Sequence, residues 1–437
     1  MKTPSLISLL LFFFCQATAQ DWKVIGEFNS GIECLYADEK SDLLYVGGAF
    51  ETVNGNYISG VATWNGQSWG ELNFGVQYDS LQMNWGGGVA QITNYQDKLI
   101  VVGTFEHVGY YQKSRNAALW NTDSLKWEPL NWETEKHGSI DFIFNTNDTT
   151  FVLGTYDSIG GLASKGVNYL HQNQWTNMSP PDGAEIPKVL VPYLGSYYLG
   201  GNMNGSILDV NDIARWDGLK FQPVGTGVSG GFGWVNDMIV YQNELYIGGS
   251  FTVATGHAGD YIMKWDGQQY HNVGGFDYPI TDFKIHNDIL YTSGLFDYYE
   301  GERTNQIAWY EPEIGWHALS DDDHDVISNF DFYRNELYIS RNYNGKKEVL
   351  KYQKKLPSSI SKKISNTSFN LFPNPSSTII NISGLSDDDE CHLVDLNGKI
   401  LIKSRSSELQ ISQLNKGVYF IHIQSNNITQ TLKFIKL

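Results

Sequence analysis

The sequence predicts an all-β chain: a seven-bladed β-propeller closed by its own N-terminal strand, followed by a small C-terminal Ig-like β-sandwich. Two observations predict the propeller, a repeated unit and a strand out of place, and a shift of composition near residue 360 predicts the second domain. Seven times between residues 43 and 343 the chain writes an apolar run, usually one or two glycines, and a bulky residue two positions on. The copies read LLYVGGAF, LIVVGTF, FVLGTY, YYLGGNM, LYIGGSF, LYTSGLF and LYISRNY. Measured at Phe50, Phe105, Tyr156, Met203, Phe251, Phe296 and Tyr343, the steps are 55, 51, 47, 48, 45 and 47 residues. Units of roughly 40 to 50 residues rich in strands, Gly and aromatics are the mark of propeller blades.

Residues 1–19 read as a secretory signal peptide, with Lys2 as its charge, an apolar stretch from Leu6 to Phe14, and cleavage between Ala19 and Gln20. That stretch is short of the about 20 apolar residues needed to span a bilayer, and no later segment qualifies as a transmembrane helix. Cys15 raises a lipid-anchor alternative, but the three Phe before it do not suit a lipobox. After cleavage only Cys34 and Cys391 remain, so an apolar core rather than a disulfide framework must hold the exported chain.

The propeller is expected over residues 20–352. In each unit the glycine strand is second of four. A third strand ends in an aromatic, a turn follows, and a fourth opens on an aromatic. Asn65-Gly66, Asp217-Gly218 and Asp266-Gly267 are read as two-residue hairpin turns. The aromatics opening the fourth strands are Trp69, Trp127, Trp175, Phe221, Tyr270 and Trp316, six for seven units. The seventh is Trp22, so residues 22–28 are expected to complete the last blade and cover an edge open to aggregation. The unit LYVGGAF…VATWNGQSWGEL resembles the kelch-like repeats of fungal cortical polarity-marker proteins and of surface proteins from gliding, Bacteroidota-type bacteria. Gly154 without a second glycine and Arg341 in place of one depart from that pattern.

Residues 353–368, rich in Lys and Ser, read as a linker. From residue 369 seven short alternating segments predict the sandwich. The charge divides there: residues 20–361 carry net −21 and residues 362–437 net +2. The acidic field argues against nucleic acid as a partner. The tail is similar to the type A C-terminal sorting domain of the type IX (Por) secretion system. The matching residues are Pro373, Asn374 and Pro375 after an aromatic, Asp395 and Gly398 in a turn, Leu414, Gly417 and Tyr419, and Lys433. The resemblance implies type IX machinery as partner, passage to the outside of a Gram-negative cell, removal of the tail, and release or surface attachment.

The connections from second to third and from fourth to first strands are long, and long loops on a rigid scaffold are where binding sits. They carry Tyr78, Trp85, Tyr110, Tyr111, Phe232, Trp234, Tyr298, Tyr299, Asp321, Asp323 and His324. Rings beside acids suit glycans, because a ring face stacks on apolar C–H surface while carboxylates accept hydroxyl hydrogen bonds. A glycan or protein ligand is therefore expected on that face, and loop aromatics packing on their own blade is the plainer alternative. The histidines lack paired metal spacing, Asp209 to Asp212 lacks the glycine of a calcium loop, and sialidase boxes are missing. The reading is a non-catalytic surface module with no cofactor or metal. An extracellular polysaccharide hydrolase or lyase is the alternative, since two carboxylates suffice for glycoside hydrolysis.

Overall fold

The computed structural model describes residues 21–436 apart from 78–87, 131, 133, 135–137, 147, 180–183, 206–209, 232, 255–258, 313, 321–323, 325, 358–369, 373–377, 384–388, 396–398 and 426–427. Every regular element among them is a β-strand. The chain divides into two compact units, Met1–Ser359 and Ile360–Leu437.

Six antiparallel four-stranded sheets follow one another in the first unit, each in chain order. Sheet one is Ile32–Asp38, Leu43–Gly48, Val61–Trp64 and Trp69–Glu71; sheet two is Val89–Tyr95, Lys98–Gly103, Ala117–Asn121 and Lys126–Pro129. Sheets three to six begin with Ser139–Asn145, Ala184–Tyr193, Val235–Tyr241 and Ile280–His286. Sheet seven supplies only Val326–Tyr333, Glu336–Tyr343 and Lys346–Tyr352 from its own repeat. Its fourth strand is Trp22–Phe28, paired antiparallel with Lys346–Tyr352. Eight apolar clusters make up the described core, and seven of them each join two consecutive sheets. One of those seven packs Phe28, Tyr333, Tyr338 and Val349 of sheet seven against Leu35, Leu44 and Phe50 of sheet one.

The glycine motif has a backbone cause. In sheet two the Thr104 N–H donates to Gly88 O at 2.8 Å, and Gly103 donates to Asn116 O at 3.1 Å. Asn116, in the left-handed region at φ 61°, donates to Phe105 O at 3.0 Å and turns the chain into the third strand. The same clamp recurs with Gly48, Gly249 and Gly294, closed by Gly60, Tyr261 and Gln306. A Cβ on any of these four glycines would lie inside the shell of the carbonyl oxygen just before the first strand. Gly103→Ala is therefore expected to cost about 3 kcal/mol, read as a lowered denaturation midpoint. Gly55→Ala, at φ 78° with no neighbour within 4 Å, is expected to cost only about 1 kcal/mol.

Where Arg341 replaces the glycine, no clamp forms, and Glu336–Tyr343 and Lys346–Tyr352 run on as one long hairpin. The Arg341 side chain pairs with buried Glu348 at 2.7 Å.

The Asn-Gly and Asp-Gly turns differ from expectation. Trp64 pairs with Trp69, Trp216 with Phe221 and Trp265 with Tyr270, so each loop has four residues rather than two. Asn65 Oδ1 accepts from the Gln67 and Ser68 N–H groups at 2.9 Å, and Asp217 and Asp266 do the same in their loops. The side chain mimics a turn carbonyl, and only the glycine takes positive φ.

In the second unit Asn370–Phe372, Ile379–Ser383 and Glu408–Gln410 form one sheet, and Ile400–Ser404, Glu390–Val394, Gly417–Ser425 and Ile428–Lys436 another. Ile380, Ile382, Leu409 and Ile411 from the first side share one core with Cys391, Leu393, Ile421, Ile423 and Phe434 from the second. Cys34 and Cys391 are both buried free thiols.

Candidate functional site

The long connections do not all hang free. Val76–Gln77, leaving sheet one, pairs with His107–Val108 of sheet two, which pairs in turn with Gln112–Lys113. Phe28 pairs with Val53, Val228–Ser229 with Val253–Ala254, and Phe276 bridges to Tyr299. Each pairing ties the chain leaving one sheet to the connection between the second and third strands of the next.

This ordering sorts the residues expected to bind. Tyr78, Trp85, Phe232, Asp321 and Asp323 lie outside the described residues. Tyr110 and Tyr111 sit at a hairpin tip, 81% and 70% exposed, and Tyr298 is 44% exposed. Tyr299 is half-buried and packs on the Phe276 ring at 5.2 Å. Trp234 gives its carbonyl to the sheet-five clamp, and Lys188 Nζ lies 5.1 Å from its ring. His324 differs most from expectation: it is fully buried, its ring edge-on to Trp22 at 5.0 Å, with Arg341 3.3 Å from its Nδ1. At His324 the acidic loop expected to carry ligand residues delivers a packing residue, because Trp22 of the strand that completes sheet seven lies against it.

A second cluster escaped sequence reading. The first strand of every sheet carries a bulge at the same level, at Glu33, Ala90, Asp141, Lys188, Asn236, Thr281 and Ser328. Bulges re-aim side chains. Here they, and the residues beside them, reach the next sheet. Lys188 Nζ donates to Asn236 Oδ1 at 2.7 Å, and Asn236 donates to Ile280 O at 2.8 Å. Gln91 accepts from Ile143 N–H at 2.6 Å, Asp237 from Phe283 N–H at 2.8 Å, and Asp331 from Ala37 N–H at 2.9 Å. Asp282 accepts from Phe330 N–H and is hydrogen-bonded to Asp237. These first strands are sheet edges whose N–H groups need acceptors, and the preceding sheet provides them.

Burial, then the Asp282 charge, pushes the Asp237 carboxyl far above its usual range. Asp282 is raised by burial too. Burial opposes the charge on Lys284, but Asp282, Asp331 and Asp237 around it overcome that penalty and hold it protonated. The aspartates that follow the bulge, Asp237 in Asn236-Asp237-Met238 and Asp282 in Thr281-Asp282-Phe283, were the available sequence signal. Chemically the cluster is committed: the Asp237 and Asp331 carboxyl groups already accept backbone N–H groups, Asp237 and Asp282 share a hydrogen bond, and the Lys284 charge is balanced by the acids around it. Among the described residues no three His, Cys, Asp or Glu groups are placed to hold a metal.

In the tail, Asp395 accepts from Lys399 N–H at 3.0 Å and donates its own N–H to Lys399 O, forming a turn. Leu414 donates its N–H to Ile411 O, and Gly417 opens a long strand. Buried Tyr419 donates to Asn415 O at 2.9 Å and stacks on Phe434. Lys433 pairs with Phe420 in the last strand. Pro373, Asn374, Pro375 and Gly398 lie outside the described residues, as do Ala19 and Gln20.

Residues 370–437 match the family model described as a secretion system C-terminal sorting domain, of the Por type. The tail therefore marks this protein for the type IX machinery and for the cell surface or the exterior in Bacteroidota-type bacteria. No curated protein matches the chain. Similar solved structures include PorZ, an essential surface component of the type IX secretion system of Porphyromonas gingivalis, at 12% identity and TM-score 0.41 over 92% of this chain. The extracellular domains of two hybrid two-component systems of B. thetaiotaomicron, BT4673 and BT3049, are similar at 11% identity, with TM-scores 0.45 and 0.38 over 94% and 93% of this chain. This chain spans 59%, 57% and 72% of those three chains in turn. No helix among the described residues is long and apolar enough to cross a membrane.

Proposed function

We propose that the seven sheets are the blades of a closed, kelch-like β-propeller, and that the protein is a non-catalytic binding module presented outside the cell, with the hairpin-bearing rim as its ligand face. The observation that carries the architecture is the return of the apolar interfaces from sheet seven to sheet one, with Trp22–Phe28 as the last outer strand. The observation that carries the role is a division of labour: described carboxylates of the inner strands accept N–H groups of the next sheet, whereas Tyr110, Tyr111 and Tyr298 on the rim leave their rings exposed. A signal peptide over residues 1–19 delivers the chain to the periplasm, and the linker at 353–368 is where the tail is removed after outer-membrane passage.

Two measurements test this. Residues 353–437 fused to an exported reporter should carry it outside the cell in a type IX-competent host, and a reporter retained in the periplasm would refute the export reading. The full exported chain should retain glycan or protein ligands without turnover. Reducing-sugar release abolished by a single carboxylate substitution would replace the binding reading with a hydrolase.

A further inference from the structure

Among the described residues four sheets carry a rim hairpin, and one of the four is built differently. In sheets one, three and six the hairpin turns on Asn54-Gly55, Gly160-Gly161 and Glu300-Gly301, all at positive φ. In sheet two Val108 pairs with Gln112, so the loop is one residue longer: Gly109, Tyr110 and Tyr111, with Tyr111 left-handed at φ 55°. Across from it Phe74, on the chain leaving sheet one, also lies at positive φ, 66°. A left-handed Tyr111 or Phe74 carries a conformational cost, as Glu300 does in sheet six, and the Gly160-Gly161 turn of sheet three shows that the hairpin can be made without it.

The cost fixes a chain of rings. Phe74 and Tyr110 are 6.0 Å apart, Tyr110 and Tyr111 5.9 Å at 83°, and Tyr111 and His107 6.0 Å. Tyr110 and Tyr111 remain open, and Phe74 is 45% exposed. The support beneath them is rigid. Gln77 Nε2 donates to Gly109 O at 2.8 Å, Gly109 donates to Gly75 O at 3.0 Å, and Trp127 Nε1 donates to Leu72 O at 2.8 Å. Asn73, Gln112 and Lys113, beside these residues in the chain, are exposed.

We infer that Phe74, Tyr110 and Tyr111 form a binding subsite for a neutral pyranose oligosaccharide. This rests on the rim reading above and names its ligand and place. Rings at right angles suit a sugar, which stacks its C–H face on one while an edge hydroxyl meets the phenol of the other. A protein partner needs about 800 Å² on each side, far more than three side chains offer. The net −21 over residues 20–361 disfavours anionic glycans.

Calorimetric titration of the full exported chain with hexasaccharides of β-linked glucose, mannose and xylose tests this. At least one should bind, and Tyr110→Ala and Phe74→Ala should each weaken it about tenfold, while Leu125→Ala, equally exposed elsewhere on sheet two, leaves it unchanged. Tyr111→Gly separates a binding role from a structural one: it relieves the left-handed tyrosine, so the melting temperature holds or rises while affinity falls. A Tyr111→Gly variant that melts lower and binds as tightly would overturn the subsite. Unchanged affinity in all three variants would overturn it and leave the rim reading standing. No binding of any of the three sugars would overturn the neutral-sugar assignment, and a different ligand captured by the rim would still support the broader reading.

Discussion

Deleting residues 21–28 is expected to leave a chain that oligomerises or fails to fold cooperatively. That segment holds Trp22 and Phe28, 4% and 6% exposed. Phe28 lies edge-on to Phe50 at 4.7 Å and to Trp69 at 5.3 Å, and Trp22 packs on Tyr352 at 4.8 Å. Trp69 Nε1 donates to Ile25 O at 2.7 Å, beside Gly26, where a Cβ would strike the indole at 2.7 Å. Asp21 is locked as well, paired with Lys354 at 2.6 Å and accepting from Ser320. Each large buried aromatic is worth about 3–5 kcal/mol, against total stabilities of roughly 5–15 kcal/mol. The deletion also bares the Lys346–Tyr352 edge to other chains. Light scattering behind size exclusion and thermal melting of residues 29–437 check this. A monomer with the parent melting temperature would mean that sheet seven does not need the strand. Trp22→Ala in the full chain is a milder form, expected to lower stability by about 3 kcal/mol.

The sequence carried the repeat because its cause is local. Gly103 and Gly249 stand where a backbone oxygen leaves no room for a Cβ, so the same letter returns at the same place in the pattern. Trp22 as a missing seventh aromatic was legible for the same reason. The site was less legible because its partners are far apart in sequence. The connection leaving sheet one reads as a long loop, yet Gln77 within it pairs with His107 some 30 residues on. His324 reads as a ligand residue among acids, yet Trp22, about 300 residues earlier, covers it. The inner aspartates went unread because a single acid within an apolar strand looks like an exposed position, and only the bulge, invisible in composition, turns it toward the next sheet.

That inner cluster yields the other large effect. Asp237 is hydrogen-bonded to Asp282, Asp282 neutralises Lys284, and Asp331 completes the set. With its carboxyl raised to about 8, Asp237 keeps a proton at neutral pH, which lets two acids lie side by side. Asp237→Asn matches the charge of that protonated form: its amide oxygen can still accept from Phe283 N–H and its nitrogen can donate to Asp282, at the loss of the Met238 N–H bond to the other oxygen. Asp282→Asn removes a charge that Lys284 depends on, and breaking such a buried arrangement costs about 3 kcal/mol or more. The two isosteric changes, one sheet apart, should therefore differ sharply, with Asp237→Asn near the parent in stability and Asp282→Asn well below. The pH dependence separates this from packing. A carboxyl whose folded pKa is raised adds stability that is complete below its unfolded value and is lost as pH rises through the folded one. Between about pH 4 and pH 8 the parent should lose that contribution, and Asp237→Asn, having no such proton, should not. Its melting temperature relative to the parent should rise across that window and level off above it. Curves that run parallel from pH 5 to 9 would mean that Asp237 is ionised in the folded protein, and that Lys284 balances three negative charges rather than two.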